Sequence, residues 1–302
     1  MRPRYWIFLL VAALGWGAGG VFTRAAFEEG VEPVEFSVYR PAIAAALVAI
    51  YILANRTSRM PRGRSIWHHG IVLGAVNLAA PFLLLTFAVV YASAGFVGLL
   101  VANIPIGTAL WSHFLGDERL TTPKVVGLSV AFSGILLLLI AGDSGIDEGG
   151  NVALAVGLTL AGLSAASYGI LYAKRVLTGI QPAALALPQF AVGALLLATI
   201  LPFTDGVPDA ITGTGWILIF AAALLSTALP FLLMYKAMEQ VTAVQASLTG
   251  YLIPVFAIVL GAIWLDERIS PAILGGGALI FVGIVLVDRA TRTTQPASAM
   301  SE

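Results

Sequence analysis

No cysteine occurs among the 302 residues, so neither a disulfide nor a thiolate-bound metal can be part of the fold. Charge is nearly as scarce. Charged residues make up 11% of the chain, against roughly a quarter in a soluble domain, and the 16 basic and 16 acidic side chains cancel. A balanced chain offers no electrostatic case for a nucleic-acid partner. The only histidines are His68, His69 and His113, which do not give the two His and one Glu at helical spacing of a metalloprotease. Gly162-Leu163-Ser164-Ala165 lacks the closing glycine of a serine nucleophile elbow, and no Gly-rich loop followed by Lys is present to cradle nucleotide phosphates. Metal, cofactor and catalytic constellation are all unsupported, and the chain is expected not to be an enzyme.

What fills the sequence instead is apolar residues, at 59%. They fall into ten stretches near the roughly 20 residues that cross a bilayer. These lie at about 5–25, 36–54, 69–90, 93–115, 122–141, 151–173, 183–203, 214–235, 241–265 and 271–289. The breaks carry turn and charge signals, such as Glu28-Glu29-Gly30 and Asp143-Ser144-Gly145. The first stretch lacks the short apolar region and small-residue cleavage site of a removed signal peptide, and is expected to remain as a membrane anchor.

Several landmarks recur 149 positions later. Pro81-Phe82-Leu83-Leu84 returns as Pro230-Phe231-Leu232-Leu233, Ile104-Pro105 as Ile253-Pro254, Asp117-Glu118-Arg119 as Asp266-Glu267-Arg268, and Gly134-Ile135 as Gly283-Ile284. One ungapped offset shared by prolines and a charged triplet is hard to obtain by chance in apolar sequence. The expected units are 5–141 and 151–289, each of five helices. Five is odd, so the second unit enters the membrane upside down relative to the first, the inverted repeat on which many secondary transporters are built.

Basic residues set the orientation. With a cytoplasmic N-terminus and ten crossings, thirteen Lys and Arg fall inside and only Arg24, Arg40 and Arg268 outside. Both termini and the Arg56–Arg64 loop are therefore expected in the cytoplasm. The Cys-free chain permits a direct check with an impermeant thiol reagent on intact cells. Asp147→Cys should label and Arg59→Cys should not; the reverse pattern would overturn the orientation.

The chain resembles the drug/metabolite transporter superfamily, in its ten-helix form with two EamA-type units. The resemblance is carried by Gly15-Trp16-Gly17 to Arg24, Pro33 to Arg40, Ala92-Ser93-Ala94, Pro105, and Gly116-Asp117-Glu118-Arg119-Leu120-Thr121. In the second half it is carried by Ala243, Pro254 and Asp266-Glu267-Arg268-Ile269-Ser270. It implies a central cavity lined mainly by helices 1, 3, 4, 6, 8 and 9, with 5 and 10 peripheral. It says little about substrate, since relatives carry amino acids, nucleotide sugars, phosphorylated sugars and drugs.

Polar residues inside spans are costly without partners and mark candidate sites. Asn77, Asn103, Tyr168 and Tyr251, with the ring of Trp16, are the expected substrate-binding set. Asn103 and Tyr251 precede prolines in counterpart helices near mid-membrane, where kinks free backbone carbonyls. Interhelical hydrogen bonding is the alternative for each. Pro81, Pro105, Pro230 and Pro254 are expected as hinges. Arg40 either snorkels to the outer surface or serves as a gate. The Asp-Glu-Arg triplets read as helix-end turns whose carboxylates meet the start of the next helix. No carboxylate lies deep in a span, Glu239 being nearest, so a facilitator or exchanger is expected, or a proton path through another group. The reading is of a secondary transporter for a small solute in the cytoplasmic membrane, with the lipid bilayer as its other partner; the alternative is a non-transporting membrane scaffold.

Overall fold

The computed structural model describes residues 3–55, 60–61, 63–115, 120–146, 149–177, 180–203, 211–238, 243–267 and 269–294. Glu239, the triplet Asp117-Glu118-Arg119, Arg268 and the side chain of Tyr251 lie outside the described residues. Ten membrane helices make up the fold: α1 (Pro3–Glu28), α2 (Pro33–Ala54), α3 (Arg64–Tyr91), α4 (Ala94–Phe114), α5 (Thr122–Ala141), α6 (Val152–Val176), α7 (Pro182–Ala198), α8 (Gly213–Met238), α9 (Ala243–Trp264) and α10 (Pro271–Thr294). Among the described residues seven are long and apolar enough to span a bilayer; Pro182–Ala198, Leu252–Trp264 and Pro271–Val287 are shorter apolar segments.

Local chemistry sets the boundaries. Pro33, Pro182 and Pro271 open α2, α7 and α10, at the first helical position where a missing N–H costs nothing. Ser93, Asn151 and Thr212 accept the N–H of Phe96, Leu154 and Gly215 at 3.0, 3.0 and 2.9 Å, capping α4, α6 and α8. At α2 the Glu32 N–H donates to Glu35 at 3.1 Å, so the helix begins three residues before the apolar stretch and draws Glu35 into its buried first turn.

The two halves interlock. Helix α1 packs on α8 and α9, and its counterpart α6 packs on α3 and α4. Three further contacts join a helix to its own counterpart: α2 on α7, α4 on α9 and α5 on α10. A pseudo-twofold axis therefore runs between the members of each pair, as expected for an inverted repeat. The α5–α10 contact is a seam of glycines. Gly127 faces Gly283 and Gly134 faces Gly276, so close that a Cβ on Gly134 would lie 2.5 Å from the Gly276 carbonyl oxygen. Gly70 and Gly74 serve the α3–α7 contact in the same way, against Pro188 and Gly193.

The prolines act unequally. α3 widens into a π-helical turn over Gly74–Ala79 and α8 over Leu224–Ala228, each just before its proline, Pro81 or Pro230. A proline deprives the carbonyl four residues back of its helical donor, here those of Asn77 and Ser226. α4 is interrupted at Ala102–Asn103 and restarts at Ile104, next to Pro105, whereas α9 runs through Pro254 without interruption.

In the second Asp-Glu-Arg triplet the described residues, Asp266 and Glu267, form a helix-end turn, but it serves another helix than the one after it. Asp266 takes a left-handed backbone with φ 49°, a region that aspartate tolerates better than most side chains. Glu267 then accepts the Ala94 N–H at 2.6 Å and the Gly95 N–H at 2.9 Å. Its carboxylate thus caps α4 in the other half, lodged between Gly95 and Gly261, where any side chain would displace it.

Candidate functional site

Buried polar groups gather at the widened turns, where freed backbone needs partners. In α2, Arg40 is 8% exposed and does not snorkel. Its Nε donates to Thr227 Oγ1 at 2.7 Å, and its Nη2 donates to the Ser226 carbonyl at 3.0 Å and Oγ at 3.1 Å. The Ser226 carbonyl, which Pro230 denies its usual i+4 donor, thereby accepts from the guanidinium. The guanidinium lies over the ring of Phe82 at 4.4 Å and near Phe36 at 5.8 Å. Gly19 of α1 closes the nest, since a Cβ there would meet Ser226 Oγ at 2.7 Å.

A second cluster occupies the pseudo-symmetric place. Gln189 is the repeat counterpart of Arg40, and Asn77 that of Ser226. The Tyr235 hydroxyl donates to Gln189 Oε1 at 2.7 Å and accepts from Asn77 Nδ2 at 3.5 Å. Asn77 also fills the space left by Gly169 on α6. Trp16 packs edge-on against Phe231 at 5.6 Å, and Phe231 against Tyr235 at 5.9 Å. The expected residues Trp16 and Asn77 thus belong to one aromatic and polar line crossing between the halves.

Asn103 stands at the break in α4. Its Nδ2 donates to the Leu100 carbonyl at 2.9 Å, while the buried Oδ1 has no partner among the described residues. It lies in the wall of a cavity of about 390 Å³ between α4, α5 and α6, with Trp111, Phe114, Phe132 and Ser164. α5, expected at the periphery, supplies one side. Trp111 Nε1 donates to the Ser164 carbonyl at 2.9 Å and packs on Tyr168 at 5.4 Å, which stacks on Tyr172 at 6.3 Å. His69 Nδ1 and the Tyr172 hydroxyl share a 2.8 Å hydrogen bond. Asn103 and Tyr168 thus meet around Trp111, and Asn77 packs on Gly169, the residue after Tyr168.

Trp111, Ser226, Thr227 and Tyr235 were not singled out by sequence. Two had readable signals: Trp111 lies eight residues from Asn103 on the same helix face, and Ser226 is the repeat counterpart of Asn77. Among the described residues no group of three His, Cys, Asp or Glu is placed to hold a metal.

The EamA-like transporter family matches residues 4–140 and 153–288. An uncharacterized transporter of Archaeoglobus fulgidus is 26% identical, aligned over 94% of this chain and 98% of its own. A probable terminal-alkyne amino-acid exporter of Streptantibioticus cattleyicolor is 27% identical over 82% and 81%, and the protein PecM of Dickeya dadantii 28% over 72% of each. A crystal structure covering 98% of this chain and 100% of its own superposes with a TM-score of 0.68 at 19% identity, a likeness of fold. A match in both halves, on ten helices in inverted repeats, places this membrane protein in the EamA-like transporter family.

Proposed function

We propose that the chain is a secondary transporter of the cytoplasmic membrane, with both termini inside, moving a small amphipathic solute by alternating access. The unpartnered Asn103 Oδ1, buried in a cavity wall beside Trp111, carries the reading. A buried acceptor without a donor is costly, and a solute N–H or O–H would satisfy it while Trp111, Phe114 and Phe132 cover an apolar body. Such a pocket, mostly apolar with few directed polar groups, suits a small molecule. Trp16, Asn77 and Tyr251 complete the proposed binding set, and Pro81, Pro105, Pro230 and Pro254 the hinges. The amino-acid exporter among the relatives makes amino-acid-like solutes the first to try.

The test is flux into proteoliposomes by the full-length chain against a panel of amino acids and aromatic metabolites. Asn103→Ala and Tyr251→Phe should each cost about 1–2 kcal/mol of apparent affinity for the solute found, a factor of about 5–30, through a lost hydrogen bond. Folded variants with wild-type affinity and rate would place the site elsewhere, and absence of flux for every solute would sink the transport reading.

A further inference from the structure

Arg40 carries more charge than its structural task requires. The task is visible: Pro230 withholds the i+4 N–H from the Ser226 carbonyl, and Nη2 donates to that carbonyl at 3.0 Å. The same chain contains the control. Against the corresponding turn of α3 stands Gln189, the counterpart of Arg40, which is neutral, fully buried and bonded to Tyr235. A widened turn followed by proline is therefore built once with a cation beside it and once without.

The positive charge has no visible counterpart. No acidic side chain bonds Arg40 among the described residues; its partners are Thr227, Ser226 and the faces of Phe82 and Phe36. Glu35, the buried carboxylate nearest in sequence, turns to the Glu32 N–H instead. Ring faces and hydroxyls soften the burial of a cation, yet they do not neutralise it, and a cation inside a bilayer is expensive. Nε and Nη2 are engaged, and Nη1 makes no hydrogen bond to a described residue. The group sits where α1 and α3 of one half meet α8 of the other, beside Gly19 and Phe82.

We propose that Arg40 is a docking point on the solute's path, separate from the Asn103 cavity, for the carboxylate of the transported solute, held by the Nη1 edge with the apolar part against Phe82. The proposal rests on the transport reading and narrows it to carboxylate-bearing amphipathic solutes. An anion entering here neutralises the buried cation, and its charge-assisted hydrogen bonds are of the strong kind. It also bridges the halves, because Arg40 holds α8 from α2.

The probes are isosteric pairs that differ in the carboxylate: 3-phenylpropionate with 3-phenylpropanamide, and L-phenylalanine with L-phenylalaninamide, with chloride and inorganic phosphate as simple anions. Binding is read from thermal stabilisation of the full-length chain in lipid nanodiscs. Each carboxylate should bind about tenfold or more tighter than its amide. Arg40→Gln, which installs the residue of the other repeat, should abolish the preference. Should that variant not fold, Arg40→Lys keeps the charge without the guanidinium and should weaken the preference severalfold without inverting it. Equal binding within the pairs, no binding of either carboxylate, an equal response to chloride or phosphate, or a preference unchanged in the folded variants would each overturn the proposal. Flux separates this from failure of the transport reading. Transport of amides and carboxylates alike removes the Arg40 role and leaves transport standing; carboxylate binding without flux of any solute does the opposite.

Discussion

Gly134→Leu should destabilise the folded chain by more than about 3 kcal/mol, beyond the usual range for an overpacked core. What a side chain would meet there decides the size. A Cβ on Gly134 would lie 2.5 Å from the Gly276 carbonyl oxygen and 2.9 Å from the Ile280 nitrogen, both backbone atoms of the facing helix. Backbone cannot rotate away as a side chain can, so α5 and α10 must part along their whole contact. Gly127 and Gly283 would lose their close approach together with Gly134 and Gly276. Gly275, one position along from Gly276, is the control: a Cβ there would meet only Leu137 Cδ2, at 3.5 Å. Gly275→Ala should be neutral, or stabilising by up to about 1 kcal/mol through helix propensity. Denaturation in detergent micelles compares the two; equal melting of both variants would mean that the seam does not hold the halves together.

Glu267→Ala should cost about 2–3 kcal/mol, since it removes a charged acceptor from two N–H groups at the head of α4. Glu267→Gln keeps one oxygen acceptor and should lose roughly half as much. The carboxyl also has a pH signature. Burial raises its pKa above the usual glutamate value, against the opposing pull of the Gly95 and Ala94 N–H groups and of Arg24. A raised folded pKa means that the folded chain holds a proton after the unfolded chain has released it. This group therefore contributes most to stability at low pH, and the contribution falls as pH rises from the ordinary glutamate range through the raised value. Melting temperature against pH, wild type minus Glu267→Gln, should show that decline. A flat difference, or wild-type stability in Glu267→Ala, would count against the cap.

How much of this was legible depended on whether the governing physics was local. The ten helices follow from apolar length, and the repeat from prolines and charged residues that stand out in apolar sequence. The Asp-Glu-Arg triplet read correctly as a helix end, yet its cap belongs to α4, because an N–H and its acceptor 172 residues apart leave no local pattern. Arg40 looked like a residue near the surface, one turn into its span. The α2 start at Pro33 sets it deeper, and its partners appear only when α8 is brought alongside. Asn103 was legible as a polar residue before a proline. Its place in the wall with α5 and α6 was not, since the walls come from three separate helices.

The cap on α4 also fixes an order of events during synthesis. Ala94 and Glu267 are 173 residues apart, an interval of roughly ten to thirty seconds at the ribosome's pace of 5–20 residues per second. Until Glu267 emerges, the Ala94 and Gly95 N–H groups at the head of α4 have only water at the membrane surface. α1 waits as long, because its partners α8 and α9 are among the last helices made. The first five helices therefore enter the membrane as an unfinished set, and the bundle closes from its C-terminal end.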